Sequence, residues 1–195
     1  LRSNWDLFAR GTLAALQRLL ATSPEKFSRF SWQAPLRTPT STALRQRLAR
    51  ALEPLGMTEG MEVEPMQVIR YVAGGHYAQH SDSGWPGHRE VSVLLYLRAP
   101  KRGGETCLLP SWWNFSSLAQ ISPGRYRRHC AQIFAAAGSS CFTAAAGKVL
   151  AWRSDWKMDG SLEVPGAHVA CPVLAGEKWV VSAWISQPCR PGQVC

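Results

Sequence analysis

The sequence predicts a mainly antiparallel β fold, a sandwich or jelly-roll barrel buttressed by helices. Three observations carry that expectation. Short β-branched or aromatic runs recur from residue 66 onward, turn residues separate them, and the stretch ahead of them has helical rather than alternating spacing.

Taken in order, residues 5–21 (WDLFARGTLAALQRLLA) and 42–55 (TALRQRLARALEPL) place Leu and Ala at helical intervals with basic residues between. Thr40, Ser41 or Thr42 offers a hydroxyl to cap the second helix, and Gly56 can end it. A Pro- and Ser-containing connection, 22–41, divides the two. The strand runs are 66–72, 76–82, 91–97, 105–109, 148–154, 168–174 and 178–185. Turn signals lie between them at Gly74-Gly75, Trp85-Pro86-Gly87, Gly103-Gly104, Asp159-Gly160 and Gly176. The stretch 110–146, rich in Trp, Ser, Arg and Ala, reads as a long insertion between strands, and segments of that length usually serve as lids or mobile loops.

With 195 residues the chain suits one domain with a substantial core, and 46% hydrophobic against 18% charged residues excludes a disordered chain. No apolar run approaches the ~20 residues of a membrane span, so the chain is expected to be soluble and to meet a membrane only through a segment outside it. A start at Leu1 suggests a trimmed chain or fragment. The net charge of +9 suits an acidic or anionic partner. The arginines are scattered, however (Arg45, Arg47, Arg50; Arg125, Arg127, Arg128), and no nucleic-acid motif appears, so nucleic acid is not the expected partner. Six cysteines, none in a CxxC pair, argue against a zinc ribbon and permit a secretory location. Cys107 and Cys171 suit buried thiols equally well, and Cys189 with Cys195 is the expected disulfide.

His80 and Asp82 stand two apart in YAQHSDS, which on an extended strand puts both on one face with Ser81 turned away. His168 lies 88 residues later in another strand run. Two histidines and one carboxylate on one face of a metal, with other positions open, is the non-haem Fe(II) oxygenase arrangement. His76, His88 and His129 read as solvated loop residues. Lys178, Ser182 and Trp184 share one face of an alternating strand, and an ammonium directed into a barrel needs an anionic partner.

The spacing beyond His168 is more specific. DGSLEVPGAHVACPVLAGEKWVVSAWI (159–185) resembles the C-terminal signature of the prolyl 4-hydroxylases, especially the plant and algal type. QVIRYVAGGHYAQHSD resembles the strand-turn-strand of that family, and VSVLLYL followed by GGET (103–106) matches a further block in order. The resemblance covers roughly residues 61–186. It implies a double-stranded β-helix (jelly-roll, cupin-like) at 61–187 with the insertion 110–146, a helical support region at 1–60 and a tail at 188–195. It implies Fe(II) held by His80, Asp82 and His168, and 2-oxoglutarate held by Lys178 with Tyr71 and Thr106 as hydroxyl donors. Tyr77, Arg89, Trp184 and Glu64 match positions near the peptide substrate. Tyr77 has the opposite parity to His80, so a bulge or strand end must turn it toward the iron.

The implied activity is hydroxylation of peptidyl proline at carbon 4, coupled to decarboxylation of 2-oxoglutarate to succinate. Dioxygen is the oxidant, ascorbate sustains the iron, and the endoplasmic reticulum or Golgi lumen is the implied location. Two departures stand out: Ser186 occupies a usual histidine position, and 110–146 has no close match. They set substrate recognition apart from the metal and cosubstrate sites. The rivals are a same-fold oxygenase acting on another residue, a small molecule or nucleic acid, and a non-catalytic peptide-binding relative. Nucleic-acid demethylases of the superfamily generally carry arginine where Lys178 stands, and all three ligands are present.

Overall fold

The computed structural model describes residues 29–36, 39–58, 61–82, 89–110, 130–153 and 166–186. The expected helix 5–21, the turns at 85–87 and 159–160, most of the insertion 110–146 and the pair Cys189/Cys195 lie outside them.

Two antiparallel sheets face each other. The larger contains β2 (Trp32–Pro35), β4 (Gln67–Tyr71), β6 (Arg89–Arg98), β10 (Val149–Arg153) and β13 (Lys178–Ser186), in the order β10-β6-β13-β4-β2, with β3 (Glu62–Val63) also on β13. The smaller contains β1 (Arg29–Phe30), β5 (His76–His80), β8 (Thr106–Leu108), β9 (Ser140–Phe142) and β11 (His168–Ala170), in the order β1-β5-β11-β8-β9. A short ribbon of β7 (Arg102–Gly103) and β12 (Val173–Ala175) completes the double-stranded β-helix.

Alternation assigns each face. On β13, Trp179, Val181, Ala183 and Ile185 join Val91, Val93, Leu95 and Val68 in a buried layer on the outer face of the large sheet. Helix α1 (Pro39–Leu52) covers that layer with Leu44, Leu48 and Leu52, which recur every fourth residue and so lie on one helical stripe. Full burial of a leucine stabilises by about 1.5–3 kcal/mol, so this stripe anchors the helix. A 3₁₀ turn (Glu53–Leu55) follows, and Gly56 ends it in the left-handed region at φ 63°, donating its N–H to the Glu53 carbonyl.

The interior between the sheets holds Ile69, Tyr71, Tyr96, Leu150, Trp152, Ala170 and Val180. Behind the small sheet a third layer contains Ala78, Cys107, Val169 and Cys171, covered by the helical residues 130–135 through Cys130 and Ile133. Disulfides Cys107–Cys141 and Cys130–Cys171 run through this layer.

Several expectations are corrected. The connection 22–41 contains β1 and β2, which pair with β5 and β4 and carry the chain from one sheet to the other. Helix α1 begins at Pro39, so Thr40, Ser41 and Thr42 lie in its first turn rather than capping it. The run 168–174 is two strands, because Cys171-Pro172 separates β11 from β12. Cys107 and Cys171 are half-cystines, not thiols, joining partners that short sequence spacing does not reveal.

Candidate active site

His80 ends β5 and His168 begins β11, and the two are cross-strand partners. Between the pairs Tyr77–Ala170 and His80–His168, β5 has two residues and β11 one. That extra residue is a bulge, and it reverses the parity of His80 so that Tyr77 and His80 both face inward while Ala78 packs outward. The Tyr77 ring accordingly stacks on His80 at 3.7 Å between centroids. Asp82 lies just past the strand end.

The three side chains converge. His80 Nε2 lies 3.7 Å from one Asp82 oxygen and His168 Nε2 3.6 Å from the other. Their ligand atoms all fall within 4.8 Å of one another. Each histidine has its Nδ1 on a backbone carbonyl, His80 on Ala78 at 2.7 Å and His168 on Gly166 at 2.9 Å. Nδ1 therefore holds the proton and Nε2 keeps its lone pair free for a metal, the outer-shell arrangement that fixes a ligating histidine. Ser92 donates to Asp82 Oδ2 at 2.6 Å. Burial works to raise the pKa of Asp82, but His168, His80 and the Ser92 hydroxyl outweigh it and hold the carboxyl below its ordinary value. A two-nitrogen, one-carboxylate set with open space beside it fits Fe(II).

That space is a cavity of about 210 Å³, lined by both histidines, Asp82, Tyr71, Tyr77, Arg89, Thr106, Lys178 and Trp184 among others. Lys178 is 1% exposed and stands opposite Tyr71 in the β13–β4 register. Its ammonium donates to the Gly104 carbonyl at 2.8 Å and to Thr106 Oγ1 at 3.2 Å, and lies 5.3 Å from the Tyr71 ring. Burial pushes its pKa down to about 7. Both glycines of the preceding turn are required. Gly103 has φ 74°, and a Cβ there would meet the Pro172 carbonyl oxygen at 2.5 Å. Gly104, at φ 75°, presents its carbonyl to Lys178.

A second bulge shapes the other end. Ile185 pairs with Val91 but Ser186 pairs with Arg89, so β6 has one residue extra and Arg89 turns inward although Val91, Val93 and Leu95 face α1. Arg89 makes a two-pronged ion pair with Glu64 (Nε–Oε1 2.9 Å, Nη2–Oε2 2.7 Å) and lies 4.0 Å over the Trp184 ring. Glu64 sits behind Arg89 rather than on the cavity wall.

The fold thus brings together all ten residues singled out in the sequence. Sequence reasoning missed three neighbours: Ser92, Tyr96, which donates to Thr106 Oγ1 at 2.9 Å, and Trp152, whose ring meets His168 edge-on at 4.7 Å. The alternation Ser92-Leu94-Tyr96 opposite an apolar face was the signal for the first two.

Residues 66–186 match the 2OG-Fe(II) oxygenase superfamily, and the chain belongs to it. Bovine prolyl 4-hydroxylase subunit alpha-3 is 26% identical over 196 residues, covering 88% of this chain and 29% of that protein. The probable prolyl 4-hydroxylase 6 of Arabidopsis thaliana is 28% identical over 129 residues, covering 63% of this chain and 41% of the relative. The chain therefore spans under a third of the bovine protein and about two fifths of the plant one. Among solved structures, the 2OG complex of the viral collagen prolyl hydroxylase from Paramecium Bursaria Chlorella virus-1 superposes with a TM-score of 0.63 at 20% identity, covering 94% of this chain and 91% of that one. A Pseudomonas putida prolyl-4-hydroxylase gives 0.61 at 16% identity, covering 94% and 88%.

Proposed function

We propose that this chain hydroxylates peptidyl proline at carbon 4, consuming 2-oxoglutarate and dioxygen and releasing succinate and carbon dioxide. One observation carries the reading: a single cavity has the His80/Asp82/His168 cluster on one wall and the buried Lys178 ammonium on another. The relatives named for prolyl hydroxylation support that substrate class.

Lys178 binds the distal carboxylate of 2-oxoglutarate, which supplies the anion its burial calls for, with Thr106 and Tyr71 donating beside it. His80, Asp82 and His168 hold Fe(II), with both Nε2 atoms kept unprotonated by the Nδ1 contacts. When bound, the iron supplies the open positions at which cosubstrate and dioxygen react to oxidise the peptide. Tyr77 and Trp184 wall the side facing the substrate, and Arg89, held by Glu64, presents donors to the peptide. The resemblance to the prolyl 4-hydroxylases supports ascorbate as the reductant in this reading. The two disulfides support an oxidising compartment, which we take to be the lumen of the endoplasmic reticulum or Golgi.

The test is succinate and 4-hydroxyproline release with and without proline-rich peptides. Succinate stimulated by peptide with matching hydroxyproline is expected, and stimulation only by a small molecule or nucleic acid would overturn the substrate class.

A further inference from the structure

Ser186, the last residue of β13, has no place in the function proposed above. It is buried, and its hydroxyl donates to Glu64 Oε1 at 3.1 Å. Arg89 Nε donates to that same oxygen, and Arg89 Nη2 to the other. Glu64 is itself tethered by its backbone N–H, which donates to the Trp184 carbonyl at 2.8 Å. The guanidinium is pinned along one edge by Glu64 and on one face by Trp184. Its Nη1 has no hydrogen-bond partner among the described residues, and Arg89 lines the cavity.

We propose that Ser186 is a positioning residue for the peptide: it orients Glu64, which fixes the plane of Arg89 and aims the unpaired Nη1 at the substrate. The inference deepens the peptide-hydroxylase reading and rests on it. The physical case is one of freedom removed. A carboxylate held only by a partly exposed arginine can rotate with it as a unit, because a two-pronged pair fixes the partners relative to each other but not to the fold. Ser186 adds a contact from a buried strand, and the bulge that pairs Ser186 with Arg89 brings all three groups to one level. Arg89 then meets the peptide without first losing the torsional freedom of a long side chain.

The test compares wild type with Ser186→Ala, Ser186→Thr, Glu64→Ala and the double variant Ser186→Ala/Glu64→Ala. Two readouts are taken: the KM for peptide and for 2-oxoglutarate, and solvent exchange of the Arg89 Nε–H by NMR without peptide. Ser186→Ala should raise the peptide KM by about 3- to 10-fold, the size of one hydrogen bond. The 2-oxoglutarate KM should stay within about twofold, since one hydrogen bond at the far end of the cavity is not shared with Lys178. Threonine should restore the peptide KM, because it keeps the hydroxyl. Arg89 Nε–H exchange should quicken in Ser186→Ala, and removing Ser186 should add nothing once Glu64 is Ala. An unchanged Nε–H exchange rate in Ser186→Ala overturns the proposal, even if no peptide proves to be a substrate. So does an unchanged peptide KM in an enzyme that hydroxylates proline. Loss of peptide-stimulated turnover in wild type, with the exchange result as expected, would instead overturn the substrate class and leave the positioning role standing.

Discussion

The two sheets that enclose the cavity are built on different principles. The large sheet is built around two long neighbouring strands, with nine residues in β13 and ten in β6, and its outer face is sealed by the leucine stripe of α1. The small sheet has strands of two to five residues, too short for their ladders alone to hold register firmly. Its outer face is the one crossed by both disulfides. Cys107–Cys141 links β8 to β9, and Cys130–Cys171 ties the helical residues 130–135 to the end of β11. Yet the small sheet holds both histidine ligands, while Lys178, Arg89 and Trp184 stand on the large one. Where apolar ladders are short, covalent links hold the more exacting geometry.

The largest expected effect breaks the small-sheet half outright. His80→Ala, Asp82→Ala and His168→Ala each remove one of three protein ligands, so turnover should fall to background and Fe(II) affinity, read by metal titration, should collapse. Metal affinity should also weaken as pH falls, because protons compete for the two imidazoles. Near-normal succinate production by any of the three would end the assignment.

Removing a disulfide should come next. The loops closed span 34 and 41 residues, and chain entropy then puts each link at about 3–4 kcal/mol. Paired serine variants, Cys107→Ser/Cys141→Ser and Cys130→Ser/Cys171→Ser, should each show an earlier denaturation midpoint. Metal affinity should drop more than 2-oxoglutarate affinity in metal-loaded protein. Equal losses at both sites would mean that the sheets act as one unit and the contrast is false.

Lys178→Ala probes the large-sheet half. A charge-assisted contact is worth roughly 1.5–3 kcal/mol, so the 2-oxoglutarate KM should rise about tenfold to a hundredfold, with arginine a poor substitute. Folding should survive, since the variant removes a desolvated amine rather than a packed apolar group. An unchanged KM would make this lysine a structural residue.

The smallest effect is a pH dependence. Lys178 titrates at about 7 when the pocket lacks an anion. Binding of the carboxylate requires the ammonium, so the 2-oxoglutarate KM should rise about fivefold from pH 7 to pH 8 and Lys178→Ala should not show the rise. The sign for stability runs the other way. The folded pKa lies below the ordinary 10.5, so between about 7 and 10.5 the unfolded chain holds the extra proton and stability without cosubstrate increases with pH. A flat KM profile would show that the pocket stays hydrated.

Period-two alternation and block spacing made much of the site legible. His80, Asp82 and His168 were assignable because their residue types and spacing are particular, whereas Lys178, Thr106 and Tyr71 were picked out only through the family resemblance, Thr and Tyr being ordinary strand residues. Helix α1 and its Gly56 terminus were legible for the same local reason. Tyr77 and Arg89 could not be oriented that way. Each stands at a bulge, where one extra residue reverses the alternation, and a bulge exists only once a strand has a partner.

The sequence by itself determined which ligand types the chain carries and how they are spaced, because both are read along the chain. Tertiary structure decided which cysteines join, that 22–41 supplies strands to both sheets, and that Ser186, Glu64 and Arg89 form one unit. Those outcomes depend on contacts between segments far apart in the chain. Glu64 and Ser186 are 122 residues apart, and only the pairing of β3 and β6 with β13 brings them within a hydrogen bond.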